Sequence, residues 1–158
     1  MPSPMPSDRT RVTGPLVVIS CGAAKQAGRH PAHALYTGSY FKASSAWARS
    51  VTTTDRIYIL SALYGLVPHD QEIDSYNVVM GDPGSVTLAH VLAQADTLGL
   101  ANEASVYVVG GERYVRIARN VWPRARAPFG KDGGMLKHGK AGIGYQIQAL
   151  KRWNGRLP

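Results

Sequence analysis

Three stretches of this 158-residue chain predict an α/β fold, with a mainly parallel four-stranded sheet in a three-layer sandwich. Each stretch is a short run rich in valine, isoleucine and leucine, followed by a segment whose apolar residues recur at helical spacing. Such alternation is typical of a parallel sheet that helices cover on both faces. We expect one α/β domain over residues 15–158, preceded by a flexible tail over residues 1–14.

The strands are predicted at residues 16–20, 56–60 and 105–109, where β-branched residues are concentrated. A fourth, weaker strand is predicted over residues 124–129. The residues between the second strand and the second helix form a long loop in this interpretation, so that the sheet contains only these four strands.

Four helices are predicted from apolar residues spaced three or four positions apart, which places them on one face of a helix. The four stripes are Tyr40, Ser44, Trp47 and Val51; Leu88, Val91, Leu92, Ala95 and Leu98; Tyr114, Ile117, Ala118 and Val121; and Ile143, Ile147 and Leu150. We expect Ser85 to cap the second helix and Pro123 to end the third.

The net charge of +8 is spread unevenly along the chain. Residues 111–158 contain 11 lysines and arginines against two acidic residues, whereas residues 1–110 contain seven against eight. This asymmetry is typical of a protein that contacts a polyanion, although a basic surface can also serve solubility alone. With one cysteine and no apolar run of about 20 residues, we expect a cytoplasmic protein without a disulfide or a membrane span.

The turn after the first strand combines small residues with a lysine. It reads Ser20, Cys21, Gly22, Ala23, Ala24 and Lys25. Its backbone N–H groups can approach an anion or the edge of a base, and Lys25 can supply positive charge. An ordinary strand-to-helix turn explains the pattern equally well. Cys21 is expected to be structural rather than nucleophilic, because no spacing ties it to a histidine.

Tyr36 is the preferred aromatic contact for a ligand. It lies outside the first helical stripe, whereas Phe41 and Trp47 are expected in the core. A tyrosine in that place can stack on a base.

The loop after the second strand contains four of the ten carboxylates, at Asp70, Glu72, Asp74 and Asp82. Ligands of α/β proteins bind outside the carboxyl ends of the strands, which is where this loop begins. Asp74 is the preferred catalytic residue because it lies close to Tyr76 and follows an apolar residue that can hold the loop on the domain. Glu72 is the second choice, and the remaining carboxylates are expected to be solvated.

Gly110 and Gly111 follow the third strand and precede a helix whose amino terminus favours anions. Arg113 could hold a phosphate there. A simple strand-to-helix turn, in which Glu112 complements the helix dipole, is an equally good interpretation. Further along, Lys137 and Lys140 are expected to contact phosphates without reading sequence.

Five segments, taken in order, resemble a family of small uncharacterised bacterial and phage proteins: VVISCGAAK, ALYTGSYFKASSAWA, YILSALYGLVPHDQEIDSYNVVMG, YVVGGERY and GIGYQIQALK. The central block, LSALYGLVPHDQEIDSYNVVMG, is also similar to the YaaA-type peroxide-stress proteins. The likeness covers about residues 17–153. Gly22 and Ser75 depart from the pattern, since the small family often has serine at the first position and both families prefer proline at the second.

The resemblance implies a sandwich related to uracil-DNA-glycosylase-like domains. It also implies a role in nucleobase metabolism, including the exchange of 7-deazaguanine into DNA. Residue by residue, it highlights Ser20, Cys21, Lys25, Tyr36, Ser61, Tyr64, Gly65, Asp74, Tyr76, Gly142, Gly144 and Gln146.

We therefore expect an enzyme that acts at the N-glycosidic bond of DNA, either a glycosylase or a base-exchanging transglycosylase. Asp74, or Glu72, would stabilise the positive charge that develops on the sugar. Tyr36 and Tyr64 would sandwich an extruded base. Residues 20–22 and Gln146 would read the edge of that base.

Two alternatives stay open. One is a DNA-binding stress-response protein without chemistry, and the other is a small-molecule nucleotide hydrolase or transferase. No cofactor and no metal is expected, since the five histidines are scattered along the chain.

Overall fold

The computed structural model describes residues 14–130 and 143–153. Within these residues, six strands and five α-helices follow one another, with a short 3₁₀ turn at Thr54–Arg56. The strands are β1 (Leu16–Ser20), β2 (Arg29–Pro31), β3 (Ile57–Ser61), β4 (Gly65–Pro68), β5 (Glu72–Asp74) and β6 (Val106–Val109). The helices are α1 (Ala32–Leu35), α2 (Ser39–Val51), α3 (Leu88–Thr97), α4 (Glu112–Val121) and α5 (Ile143–Lys151).

The main sheet is mixed, with the strand order β4–β3–β1–β6. The central strand β1 pairs in parallel with β3 and with β6, as the strand–helix alternation predicts. The fourth strand is β4, which pairs antiparallel with β3 through a tight connection. Gly65, which begins β4, has a φ of +77°, a conformation that costs glycine little.

The predicted fourth strand over residues 124–129 is wrong. In its place the structure has a single parallel bridge between Tyr107 and Arg126, beside β6. The predicted long loop after the second strand is also wrong, because residues 65–68 extend the sheet instead. An antiparallel edge strand needs only a short hairpin connection, which the strand–helix alternation does not reveal.

A second, two-stranded ribbon lies outside the main sheet. Its strands β2 and β5 pair antiparallel, with Arg29 opposite Asp74 and Pro31 opposite Glu72. Because strand residues alternate in direction, Ile73 is buried between Glu72 and Asp74, which are both exposed. The ribbon thus determines the direction of the two carboxylates that the sequence favours.

The main sheet separates two apolar cores, and helices cover both of its faces. On one face, Val17, Ile19 and Ile59 pack with Trp47 of α2 and Leu150 of α5. The opposite face holds the second core, which α3 and α4 cover; it contains Leu16, Val18, Val91, Val108 and Val115. Apolar side chains alternate along β1 between the two cores, which explains why that strand is buried throughout.

The helical stripes predict the helices well but not every buried residue. In α3, Val91 and Ala95 are buried, whereas Leu88 and Leu92 are about two-fifths exposed. The cap of α3 is Thr87, whose hydroxyl accepts a hydrogen bond from the His90 N–H; the prediction of Ser85 is wrong. In α5 the buried residues are Gln146, Ala149 and Leu150, and Ile143 is exposed.

Among the described residues, no helix is long and apolar enough to cross a membrane. The predicted tail falls outside the described residues, apart from Gly14. The single-domain boundary at residues 15–158 stays a prediction.

Candidate functional site

The carboxyl ends of β1 and β6 lie side by side, and the chain leaves them toward opposite faces of the sheet. β1 leads toward α2 on one face, whereas β6 leads directly into α4 on the other. Such a divergence, a topological switch point, opens a crevice in which α/β proteins usually bind ligands. We call the sheet edge formed by residues 20–22 and by Gly110 and Gly111 the switch-point crevice, after the place where such proteins usually bind ligands.

Gly110 and Ser20 meet where the end of β6 packs on the end of β1. A Cβ atom placed on Gly110 would stand 2.9 Å from the Ser20 Cβ and 3.1 Å from the Tyr114 Cβ. By contrast, no atom lies within 4 Å of a Cβ placed on Gly111. Gly110 is therefore required by close packing of β6 on β1, and Gly111 leaves open space above it.

Three tyrosines and one serine form a connected cluster beside the crevice. Ser61 is fully buried at the end of β3, and its hydroxyl donates a hydrogen bond to the Tyr76 hydroxyl at 2.8 Å. The Tyr76 and Tyr36 hydroxyls are 2.6 Å apart. Tyr64 packs edge-on against Tyr76 and donates its own hydroxyl to the backbone oxygen of Asp74 at 3.1 Å. We call Tyr36, Ser61, Tyr64 and Tyr76 the tyrosine cluster.

Cys21 joins the tyrosine cluster to the crevice. Its backbone N–H bonds the Leu60 oxygen of β3, and its Sγ lies 3.4 Å from the Tyr114 hydroxyl of α4. Cys21 and Tyr76 both pack against both apolar cores. The thiol therefore lies between the ends of β1, β3 and β6, in a partly buried position.

Burial keeps the phenols of this region neutral. It raises the pKa of Tyr36, Tyr76 and Tyr114 well above the ordinary value of tyrosine, and the nearby Cys21 thiol raises each of them further. At neutral pH these side chains offer aromatic faces and hydroxyl hydrogens rather than phenolate charge.

Lys25 lies over the tyrosine cluster. Its ammonium is 4.4 Å from the centre of the Tyr76 ring and 5.8 Å from that of Tyr36, and it donates to the Ala23 oxygen at 3.2 Å. The backbone around Lys25 pairs antiparallel with the segment around Tyr36, which holds the turn in place. The Lys25 ammonium therefore makes a cation–π contact, closest with the Tyr76 ring.

The two preferred carboxylates face away from this arrangement. The Asp74 carboxylate lies 3.3 Å from an Arg29 guanidinium nitrogen, and that of Glu72 lies 3.6 Å from another. The Glu72 side chain is about three-fifths exposed and the Asp74 side chain about two-thirds. The ribbon thus turns Asp74 toward solvent and places only its backbone oxygen against the tyrosine cluster. A catalytic role for either carboxylate stays a prediction.

The residues predicted to hold phosphate or to read a base lie in several places. Arg113, in the first turn of α4, donates a hydrogen bond to the Met80 oxygen and so fastens the loop that follows Tyr76. Gln146 is buried between α5 and α2, where its amide oxygen accepts from the Tyr40 hydroxyl at 2.6 Å. Lys137, Lys140 and Gly142 lie outside the described residues.

Away from the crevice, the fold brings His33 beside His69 and Asp70, which are neighbours in the sequence. His33, His69 and Asp70 offer ligand atoms that all lie within 4.8 Å of one another. The two imidazole rings are stacked, with centres 4.7 Å apart and planes inclined by 12°. The His69 Nδ1 lies 2.9 Å and the His33 Nε2 3.6 Å from the same Asp70 carboxylate oxygen.

Sequence reasoning missed two contributors to the site. The sequence places Tyr114 only on the helical stripe of α4, and it does not predict the contact of its hydroxyl with Cys21, 93 residues earlier. The sequence places Gly110 only before a helix end that favours anions, and it does not predict that Gly110 accommodates Ser20. The parallel order of β1 and β6 could have indicated that their following residues meet at one edge.

The fold defines an α/β protein whose mixed sheet has a topological switch point between β1 and β6. The chain belongs to DUF6884, a family of unknown function, whose model matches residues 16–152. No curated protein and no solved structure matches it.

Proposed function

We propose that this protein binds a nucleobase, in DNA or in a nucleotide, at the switch-point crevice and acts on the N-glycosidic bond of that base. The meeting of Ser20 and Gly110 at the divergent ends of β1 and β6 carries the binding part. That position is where open α/β sheets hold their ligands, and the tyrosine cluster gives it aromatic walls suited to a flat, polar molecule.

The amino terminus of α4 supplies the place for a phosphate. The helix begins at Glu112 directly after the two glycines, and the first backbone N–H groups of a helix have no carbonyl partner within the helix. Anions bind readily at such helix ends. The exposed cations of Arg116 and Arg124, on and just after the same helix, favour a longer polyanion such as DNA.

The reaction comes from the resemblance to YaaA-type proteins and to uracil-DNA-glycosylase-like domains. Cleavage of an N-glycosidic bond builds positive charge on the sugar, which a carboxylate stabilises or attacks. Asp74 is our first choice for that group, with Glu72 in reserve. The sugar would then lie over the ribbon, beside the carboxylates that Arg29 accompanies, while the base reaches inward to the tyrosines. Such a protein would work on DNA in the cytoplasm.

One observation favours a second candidate, a DNA-binding protein without chemistry. The Asp74 and Glu72 side chains are exposed and ion-paired with Arg29, which is the ordinary state of surface carboxylates. This candidate uses the same crevice and the same cations but no sugar-side carboxylate. A nucleotide hydrolase or transferase would use the crevice alone.

Mass spectrometry of released bases separates these candidates. The protein is incubated with short DNA duplexes, with single strands and with free nucleotides, and the free bases are quantified. Base release from DNA supports the glycosidic activity, and release from free nucleotides alone supports the small-molecule enzyme. Retention of DNA without base release, with or without added free guanine and 7-deazaguanine, would refute the catalytic part.

A further inference from the structure

His33, His69 and Asp70 form a cluster whose side chains are all of the kinds that bind metal ions. One oxygen of the Asp70 carboxylate lies 2.9 Å from the His69 Nδ1 and 3.6 Å from the His33 Nε2. The ligand atoms that the three groups offer all lie within 4.8 Å of one another. Two imidazoles and a carboxylate are donors that suit zinc and other divalent transition metals.

The backbone holds the two histidines side by side. The His33 N–H donates to the His69 oxygen at 3.0 Å, and the His69 N–H donates to the Ile57 oxygen of β3 at 3.1 Å. Next to them, the Ala32 N–H donates to the Gln71 oxygen at 2.7 Å. These bonds join the start of α1 to the turn between β4 and β5, so the fold brings the imidazoles together before any ion binds.

His69 is the fixed member of the cluster. Its side chain is 4% exposed, and its Nε2 is buried and has no hydrogen-bond partner in the described part of the chain. Its Nδ1 is therefore the nitrogen that is available to an ion, and this nitrogen already faces Asp70. A side chain that is buried beforehand loses little conformational freedom when it binds, which favours a ligand at this position.

His33 and Asp70 are the members that can adjust, since their side chains are 37% and 68% exposed. The two imidazole rings are stacked, so the exposed His33 ring has to turn for its nitrogen to face the same ion as the His69 nitrogen. Ligand atoms that lie about 2.1 Å from an ion in a tetrahedral site are roughly 3.4 Å apart. The cluster thus reaches such a site through small movements of two exposed side chains.

We infer that His33, His69 and Asp70 together bind one divalent transition-metal ion, of which zinc is the first choice. His33 binds through Nε2, His69 through Nδ1 and Asp70 through a carboxylate oxygen, which leaves a position of the ion for water. The bound ion fastens α1 to the turn between β4 and β5. This site is separate from the proposed function, because none of its ligands belongs to the switch-point crevice or to the tyrosine cluster.

Titration of the full chain, without a histidine tag and freed of metal by a chelator, tests the site. Cobalt(II) serves as the coloured probe, zinc then displaces it, and calorimetry measures the affinity of each ion. We expect one ion per chain, and no binding of magnesium, which prefers oxygen ligands. His33→Gln and Asp70→Asn should each weaken zinc binding at least about tenfold, a loss that even the hydrogen-bond partners of ligands cause.

His90→Gln is the matched control, because His90 is exposed on α3 and lies outside the cluster. It should bind zinc as the wild-type chain does. Thermal melting establishes that each variant folds, and zinc should raise the melting temperature of the wild-type chain and of this control. Both test substitutions replace exposed side chains, and either one that folds is sufficient. A wild-type chain that binds neither cobalt(II) nor zinc overturns the inference, as does zinc binding that the folded test variants retain. Both results leave the proposed function untouched.

Discussion

Ser20, the last residue of β1, occupies the space that any side chain on Gly110 would need: a Cβ placed there would stand 2.9 Å from the Ser20 Cβ. The two residues bring the carboxyl ends of β1 and β6 to one point, from which the chain departs toward opposite faces. The crevice and its proposed ligand depend on this close approach.

Gly110→Ala is expected to destabilise the protein by about 1–3 kcal/mol, the usual cost of overpacking. The methyl group would press on Ser20 and on the Tyr114 Cβ, and both are held by the sheet and by α4. Gly111→Ala is the control, because open space surrounds its Cβ position and its φ is −65°. Urea denaturation measures both free energies of unfolding. Equal losses in the two variants would contradict the packing account.

Ser61→Ala should lower the free energy of unfolding by about 1–3 kcal/mol, because it leaves buried N–H groups without an acceptor. The Ser61 hydroxyl makes three hydrogen bonds in a fully buried position. Ser50→Ala, in which an exposed hydroxyl bonds one carbonyl, should change stability by less than about 0.5 kcal/mol. Denaturant titration of both variants gives the comparison, and a neutral Ser61→Ala would show that the cluster is not constrained by Ser61.

Gln94 covers the open edge of β4 in the manner of a neighbouring strand. Its amide nitrogen donates to the Tyr64 oxygen, and its amide oxygen accepts from the Leu66 N–H, both at 2.8 Å. Gln94→Glu keeps the acceptor for the Leu66 N–H but replaces the donor to the Tyr64 oxygen by a carboxylate oxygen. We therefore expect the free energy of unfolding to fall by about 1–3 kcal/mol. Gln148→Glu on the exposed side of α5 is the control. Chemical denaturation measures the stability of both variants. Equal stability of the two would show that Gln94 does not protect the edge of β4.

The stacked His33 and His69 predict a loss of stability in mild acid. Burial lowers the pKa of His33, and the positive charge that His69 and Arg49 can bring lowers it further, although Asp70 partly opposes this. Below the ordinary histidine pKa of about 6.5 the unfolded chain binds a proton more readily than the folded chain. Stability should therefore fall as the pH drops from about 7 to 5.

Melting temperatures of the wild-type protein and of His33→Gln, measured at about pH 7.5 and about pH 5.5, check this expectation. The two pH values lie about one unit above and one unit below the ordinary histidine pKa. The variant should lose less stability between the two conditions than the wild-type protein. An unchanged difference would assign the acid sensitivity to other groups.

Asp74→Asn should retain the fold and the affinity for a nucleotide within about twofold, since its carboxylate faces solvent in an exposed ion pair. Calorimetry gives the affinity, and base release is assayed in parallel. Loss of base release with unchanged affinity would assign Asp74 to the sugar side, as the sequence predicts. A large loss of affinity would instead contradict the outward orientation of this side chain.

Elements whose residues interact locally could be predicted from the sequence. The sequence predicts the bounds of β1, β3 and β6 to within one residue, because buried parallel strands are continuous apolar runs. The sequence does not predict β4, because a short hairpin joins it to β3 and because Gln94, which covers its edge, lies 28 residues from Leu66. No local pattern reports such a partner.

The candidate site divides in the same way. Ser20, Cys21 and Gly110 follow strands, so their place at the sheet edge could be inferred from the order of elements. The direction of Asp74 could not, because it depends on antiparallel pairing with Arg29, 45 positions earlier in the chain. The contact of Cys21 with Tyr114 likewise depends on how α4 packs on the sheet.

Nuclear magnetic resonance of the ¹⁵N-labelled chain, titrated with inosine monophosphate, tests the central claim most directly. The account predicts that the backbone amide shifts concentrate at residues 20–22, at Gly110 and Gly111, and around Tyr36 and Tyr76. Shifts confined to the groove between α2 and α5, which Lys42, Trp47 and Trp153 line, would contradict it, as would a spectrum that does not change.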